Sequence, residues 1–408
     1  MRYTIFLTIF FCAVFASHLA AQDGFVSLFN GKDLTGWSVK GGDAKYAVED
    51  GAIVGTVNDT RRNTFLCSEK EYENFIFKAE FKFDQNFNSG IQFRSKSRPD
   101  GDRQVVYGYQ YEMEPDGINA AVYDEARRSR WLNNVDETLI AKIRSIYKLG
   151  DWNEVEIQCV GPAIRTWLNG QLIADFFDVE SERGFFGLQV HAADQPGKVR
   201  WRNIRVKELP TTPWMPMYAN KKFDEDIEIK PVGEWIIQDD GVLCGKTPEN
   251  EPRDGIIVTK KKYKNFAAKV SFKMEKGNSG LYFRAIDVDK PYWLAGYQCE
   301  IAEGANVNAN FWEVQGRGWV QKTPATEAIA TKATKQRDWN HIATVAINDH
   351  LVSFLNGEMV MDIIDPSPTH GKEGKIGLQL HGGGNQGCLF NDFYIMPLSD
   401  EMVNLIMR

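Results

Sequence analysis

Hydrophobic and polar residues alternate with a period of two along several short stretches of the chain. Phe75-Ile-Phe-Lys-Ala-Glu-Phe-Lys-Phe83, Glu154-Val-Glu-Ile-Gln-Cys159 and Ile164-Arg-Thr-Trp-Leu168 show it plainly, and Ala267 to Met274 shows it again. That period belongs to strands with one buried and one polar face, because successive side chains point to opposite sides. Leu168-Asn-Gly170 closes the third of these runs, Leu355-Asn-Gly357 closes the similar run Leu351-Val-Ser-Phe-Leu355, and Asn-Gly suits a type I′ hairpin turn. Many short strands punctuated by turns predict an all-β sandwich or barrel. One stretch departs from the pattern. Asp116 to Lys148 is a polar insertion with a helix predicted over Glu137 to Ile146, and insertions on rigid β scaffolds often line binding sites.

The pattern also repeats. Asn88-Ser-Gly-Ile-Gln-Phe-Arg94 recurs as Asn278-Ser-Gly-Leu-Tyr-Phe-Arg284, and Gly108-Tyr-Gln-Tyr-Glu112 as Gly296-Tyr-Gln-Cys-Glu300. Asp151-Trp-Asn153 returns as Asp338-Trp-Asn340, and Gly187-Leu-Gln-Val-His191 as Gly377-Leu-Gln-Leu-His381. Motifs in one order at a nearly constant offset mean a duplicated domain. The Pro-rich stretch 210–216 is a stiff connector, so domain one is expected over 25–209 and domain two over 217–398, with a tail at 399–408 able to form one helical turn. Phe93, Tyr109, Trp152 and Trp339 lie in recurring motifs and are expected in the cores.

The first residues read differently. Met1-Arg2, an apolar run from Ile5 to Ala16 and the small residues before Gln22 predict a signal peptide over 1–21, hence a periplasmic or secreted chain. Cys12 lacks the setting of a lipid anchor, and no later run approaches the ~20 apolar residues of a membrane span. The remaining Cys67, Cys159, Cys244, Cys299 and Cys388 are odd in number and lack CxxC spacing, so they are expected as buried small apolar residues. A formal net charge of −7 argues against nucleic acid as the main partner.

Candidate chemistry comes from sorting strand faces. Ile91, Phe93, Tyr109, Tyr111, Leu188 and Val190 fall on one side, and Gln92, Arg94, Gln110, Glu112, Glu114, Gln189 and His191 on the other. If the strands are neighbours, these polar residues form one patch suited to a polyhydroxylated ligand. Tyr123, Trp131 and Trp167, with Trp312 in the second copy, are the candidate stacking rings. Any half-exposed antiparallel sheet also shows a polar face, and an Arg–Glu pair across strands is often simple complementarity. The second copy keeps Arg284, Gln298, Glu300 and His381 but has Ala302 in place of Glu114. Two residues apart on one strand, Glu112 and Glu114 would lie roughly 6.6 Å apart, within the range used by paired carboxylates acting on a sugar. GxSxG, HExxH and phosphate-loop motifs are absent; no metal ligands or cofactor are assigned, and a divalent-metal requirement is not readable from these residues.

Taken together, the motifs resemble a known family. Leu28-Phe-Asn-Gly-Lys-Asp-Leu-Thr-Gly-Trp37, the strand motifs above, Trp167-Leu-Asn-Gly170 and Trp201-Arg-Asn-Ile-Arg205 follow the order of the 3-keto-disaccharide hydrolase domain, also described as 3-keto-glucoside-1,2-lyase/3-keto-2-hydroxyglucal hydratase. Domain two lacks the opening motif. The resemblance implies two tandem concanavalin A-like jelly rolls, each with a concave ligand face. It implies an oxidised mono- or disaccharide glycoside as substrate, supplied by a separate sugar 3-dehydrogenase and processed by elimination, hydration or both. By that analogy Glu112 or Glu114 is base or acid, Arg94 stabilises the enolate, His191 binds or relays protons, and Gln92, Gln110, Tyr123, Trp131 and Gln189 bind substrate. The family's acidic residue between the Gln and His is Val190 here and Leu380 in the second copy, which weakens the analogy for His191 and more so for His381. Ala302 weakens domain two further, so that domain is expected to be binding or degenerate. The alternatives are a conventional glycoside hydrolase using Glu112 and Glu114, and a lectin-like binding protein without catalysis.

Overall fold

Along Phe75–Phe83 every second residue is buried, and the phenylalanines face inward as the alternation requires. A computed structural model describes residues 24–407 apart from 58–60, 86 and 116. The expected signal segment lies outside the described residues. No described helix is long and apolar enough to cross a membrane.

Each repeat folds as two face-to-face antiparallel sheets, the jelly-roll sandwich expected from the motifs. In domain one the back sheet is centred on Asn153–Val160, Phe75–Phe83 and Gly197–Glu208, with Ala163–Leu168 and Gln171–Phe177 to one side and Ala52–Val57 and Lys45–Glu49 to the other. The front sheet runs Trp37–Gly41, Thr64–Ser68, Phe185–Val190, Ser89–Asp100, Arg103–Met113, Asn119–Glu125. Phe75, Phe77, Phe81 and Trp201 from the back meet Ile91, Phe93, Tyr109, Tyr111 and Leu188 from the front. Burial of these large aromatic and branched side chains supplies the main stabilisation. Domain two repeats the plan, its front sheet ordered Ile227–Ile229, Gly255–Thr259, Lys375–Leu380, Asn278–Asp287, Leu294–Ala302, Phe311–Val314, Gly318–Trp319.

The helix expected in the insertion spans Glu137–Ile146, capped by the Asp136 carboxylate accepting from Leu139 N. The tail forms two turns rather than one, Asp400–Met407. Its Met402, Val403 and Ile406 join an apolar cluster with Val160, Ala163 and Leu209 of domain one and Ala343, Val345 and Met396 of domain two. The two sandwiches are therefore stapled by the C-terminal helix. The five cysteines are buried free thiols.

Trp152 and Trp339 are not in the cores. Both are half-buried, and Trp152 lies under the Arg202 guanidinium, 3.9 Å from the ring centre. The buried member of the Asp-Trp-Asn motif is the asparagine. Asn153 accepts from Lys148 N at 2.8 Å and donates to Lys148 O at 2.9 Å, and Asn340 does the same to Lys335. The motif recurs because it closes a loop.

Candidate active site

The polar patch is built on three neighbouring strands of the front sheet and the residues just beyond them. Gln92 pairs with Gln110, which pairs with Tyr123, and in the adjacent row Gln189 pairs with Gly90, which pairs with Glu112. Gln92, Gln110, Glu112 and Gln189 thus share the outer face, each no more than 6% exposed. Gly90 makes the arrangement sterically feasible. A Cβ there would lie 2.6 Å from Gln110 Cδ, so only a bare backbone lets that amide lie across the strand. Gly280 clears the same space for Gln298.

The amides form a chain that ends on a carboxylate. Ser95 donates to Gln92 Oε1 at 2.6 Å, Gln92 Nε2 to Gln110 Oε1 at 2.7 Å, and Gln110 Nε2 to Glu112 Oε2 at 3.0 Å. Asn88 Nδ2 donates to the other oxygen, Glu112 Oε1, at 2.5 Å. Burial raises the Glu112 carboxyl to about 7; the Gln110 and Asn88 donors oppose the rise, and the charges of Glu114 and Glu125 add to it. Glu125 is raised as well, first by burial, against an Asn63 hydrogen bond and the nearby His191. A carboxyl near neutrality can take or give a proton at ordinary pH, as a general acid–base catalyst must.

The other expected residues divide. Tyr123 lies beside Gln110 and packs edge-on against Trp131, ring centres 5.1 Å apart, so both border the face. His191 follows the end of its strand, its Nδ1 donating to Ala192 O at 2.8 Å, which leaves Nε2 as the acceptor. Glu114 lies one residue past its strand and accepts from Ile118 N at 3.3 Å, so its carboxylate closes its own turn rather than pairing with Glu112 across a ligand.

Arg94 is elsewhere. A β-bulge follows Phe93, Arg94 takes a positive φ of 45°, and the side chain leaves the polar face. Its guanidinium donates to Glu73 O at 2.7 Å, Gly161 O at 2.8 Å and Asn74 Oδ1 at 3.0 Å, tying the front sheet to loops of the back sheet. Arg284 repeats the bulge at φ 47° and donates to Lys264 O and Asn348 O. Both arginines recur because they stitch the sandwich, and neither reaches the patch. Trp167 is on the back sheet, opposite Glu156, and cannot stack on a ligand at this face.

Residues not singled out from sequence complete the site. Asn88 holds Glu112, and its place in the repeated Asn-Ser-Gly motif was the available signal. Glu125 shares the Tyr123 face by simple alternation. Asn63 links Glu125, at 3.3 Å, to Ala192 N, at 3.0 Å, from a loop that carries no recurring motif. Both amide atoms of Gln189 are buried without a partner among the described residues.

The sequence profile of the 3-keto-alpha-glucoside-1,2-lyase-like domain family matches residues 24–207 and again 217–396. The chain belongs to this family. A Bacteroides thetaiotaomicron protein named 3-keto-disaccharide hydrolase is 24% identical over 240 residues, covering 46% of this chain and 79% of that protein. Among solved structures, a Parabacteroides distasonis protein provisionally named a glycosyl hydrolase is 22% identical, covering 46% of this chain and 95% of that one, TM-score 0.34. A carbohydrate-binding module from Bacillus subtilis is 16% identical, covering 43% of this chain and 98% of that one, TM-score 0.32.

The second 3-keto-alpha-glucoside-1,2-lyase-like domain keeps the buried glutamate and changes its surroundings. Glu300 accepts from Asn278 at 3.0 Å and is raised to about 7, chiefly by burial. Tyr282 and Val314 stand where domain one has Gln92 and Glu125. Asp254 occupies the Asn63 position: it accepts from Gly382 N at 2.7 Å and from Gln379 Nε2 at 2.8 Å, giving the second copy's glutamine the partner that Gln189 lacks. Trp312 and Trp319 replace Tyr123 and Trp131, 5.0 Å apart and edge-on, and with Trp293 they border a cleft of about 610 Å³ that also holds Gln298 and His381.

Proposed function

We propose that this is an exported enzyme acting on glycosides already oxidised at carbon 3, with Glu112 as the residue that moves the carbon 2 proton. The supporting observation is Glu112 itself, a buried carboxyl raised to about 7, held by Asn88 and Gln110 beside a Tyr123–Trp131 wall. The name of the Bacteroides thetaiotaomicron relative points to the same substrate class.

A ketone at carbon 3 acidifies the hydrogen on carbon 2. Glu112 as carboxylate takes that proton, the carbon 1–oxygen bond breaks as a carbon 1–carbon 2 double bond forms, and the departing aglycone oxygen gains a proton. Water then adds its oxygen to carbon 1 while protonated Glu112 returns a proton to carbon 2, and the sum is hydrolysis. His191 and Glu125 stand on the same side as proton carriers for the aglycone and the water. Charge building on the carbon 3 oxygen needs a hydrogen-bond donor, and Arg94, committed to loop acceptors, does not supply it. A separate dehydrogenase would supply the keto sugar. A conventional two-carboxylate hydrolase fits less well, because Glu114 is committed to its own turn.

A 3-keto-glucoside and its unoxidised parent, offered in turn to the wild type and to Glu112→Gln, test the proposal. Turnover of the keto sugar alone, lost in the variant, is the expected result. Turnover of the parent would favour an ordinary hydrolase, and saturable binding without turnover a lectin.

A further inference from the structure

Between the two domains lies a second cleft, of about 530 Å³, lined by the back sheet of domain two rather than by either front sheet. Its floor is the outer face of the domain-two back sheet, and its other wall comes from the domain-one segment around Glu180 together with Trp214 of the connector. The volume falls within the ~300–1,000 Å³ of small-molecule sites.

A polar row crosses the floor. Ser271 Oγ donates to Asp392 Oδ2 at 3.1 Å, so the 2.7 Å contact with His341 has Nδ1–H donating to Ser271 Oγ. The imidazole Nε2 is then left as an acceptor. This order is the reverse of a hydrolytic triad, in which the serine must donate to the histidine. Ser271 is buried, and it fixes two exposed neighbours as hydrogen-bond acceptors. In the next row Lys269 bonds Glu182 at 2.5 Å and lies 4.1 Å above the Trp214 ring, so its charge is already spent. Glu180 and Asp392 have no ion-pair partner among the described residues. The cleft therefore offers acceptors and net negative charge, bordered by the rings of Trp214 and Tyr394.

We propose that this interdomain cleft binds a neutral saccharide, separately from the concave sites. Sugar hydroxyls supply donors to the His341 and Asp392 acceptors, the C–H face of a pyranose packs on an aromatic ring, and acidic sugars are repelled. The cleft exists only when the two domains are docked, which gives the duplication a purpose beyond a second copy of one site. The proposal draws on the carbohydrate family of the chain but not on the role of Glu112.

Maltose, together with glucose and its anionic counterpart glucuronic acid, is titrated calorimetrically into three full-length proteins: wild type, Glu112→Gln/Glu300→Gln, and His341→Ala/Asp392→Asn. A saturable maltose step in the first two, weakened at least about tenfold in the third, is expected. Turnover of a 3-keto-glucoside should be unchanged in the third. Trp214→Leu should also weaken the step, and thermal melting confirms that each variant is folded. Absence of the step in the first two proteins, undiminished affinity in the third, or equal affinity for glucose and glucuronic acid would overturn the proposal. Failure of keto-sugar turnover in the wild type would instead overturn the role of Glu112 and leave this titration decisive for the cleft.

Discussion

Replacing Glu112 by Gln should stabilise domain one at alkaline pH and leave it nearly unchanged in acid. The folded carboxyl is raised from 4.5 to about 7, chiefly by burial. A raised carboxyl means that the folded state holds its proton more tightly than the unfolded chain. Below about 4.5 both states are protonated and the group contributes nothing. Between about 4.5 and 7 stability is lost as pH rises, and above about 7 the full cost of burying the charge is present. At about 1.4 kcal/mol per unit, this shift costs about 3 kcal/mol. The Glu112→Gln side chain would keep the neutral shape, and the unpartnered Asn88 Oδ1 supplies an acceptor for its new N–H once the Asn88 amide turns over. For a domain of this size 3 kcal/mol corresponds to a melting shift of about 6–12 °C. Thermal unfolding of wild type and variant at pH 4 and pH 8 measures it, with Glu300→Gln reporting the same effect for the second domain. A variant no more stable than wild type at pH 8, or equally favoured at both pH values, would refute the buried, raised carboxyl.

Arg94→Ala should destabilise domain one by about 3 kcal/mol or more, because three loop acceptors lose their donor, while the folded fraction keeps keto-sugar turnover; denaturant unfolding and activity per folded molecule check both. Gly90→Ala should cost about 1–3 kcal/mol and also lower kcat, since the new methyl displaces the Gln110 amide that holds Glu112; unfolding and steady-state kinetics measure the two. With Glu112 carboxylate as base, kcat/KM for a 3-keto-glucoside should rise with pH and level off above about 7, and a flat profile between pH 5 and 8 would argue for another group. Reductant should leave the melting temperature unchanged, since the five cysteines are free thiols.

The strands were legible because burial on one face imposes a period of two, as in Phe75–Phe83. Alternation also told which residues of the central strands share a face, and Gln92, Gln110, Glu112 and Gln189 lie together on the outer side. It failed where regular backbone failed. The bulge after Phe93 carries Arg94 off the face, and the strand ends before Glu114, so the period no longer governs either side chain. Recurrence in both copies was equally blind to purpose, since it marks the stitching Arg94 and the loop-closing Asn153 as strongly as Glu112. Asn63 and Asp254 come from loops distant in sequence, where no periodicity operates, and only the folded sheet brings them to His191 and His381. The interdomain cleft was beyond reach for the same reason: it belongs to the packing of two domains, which no local pattern encodes.

The central claim concerns one proton. A 3-keto-glucoside incubated with the enzyme in deuterated water, followed by proton NMR, reports directly on the hydrogen at carbon 2. Wild type should replace that hydrogen with deuterium in sugar and product, Glu112→Gln should not, and the unoxidised parent glucoside should keep its hydrogen with either protein. Aglycone release from the keto sugar by Glu112→Gln at the wild-type rate, or undiminished exchange by that variant, would contradict it.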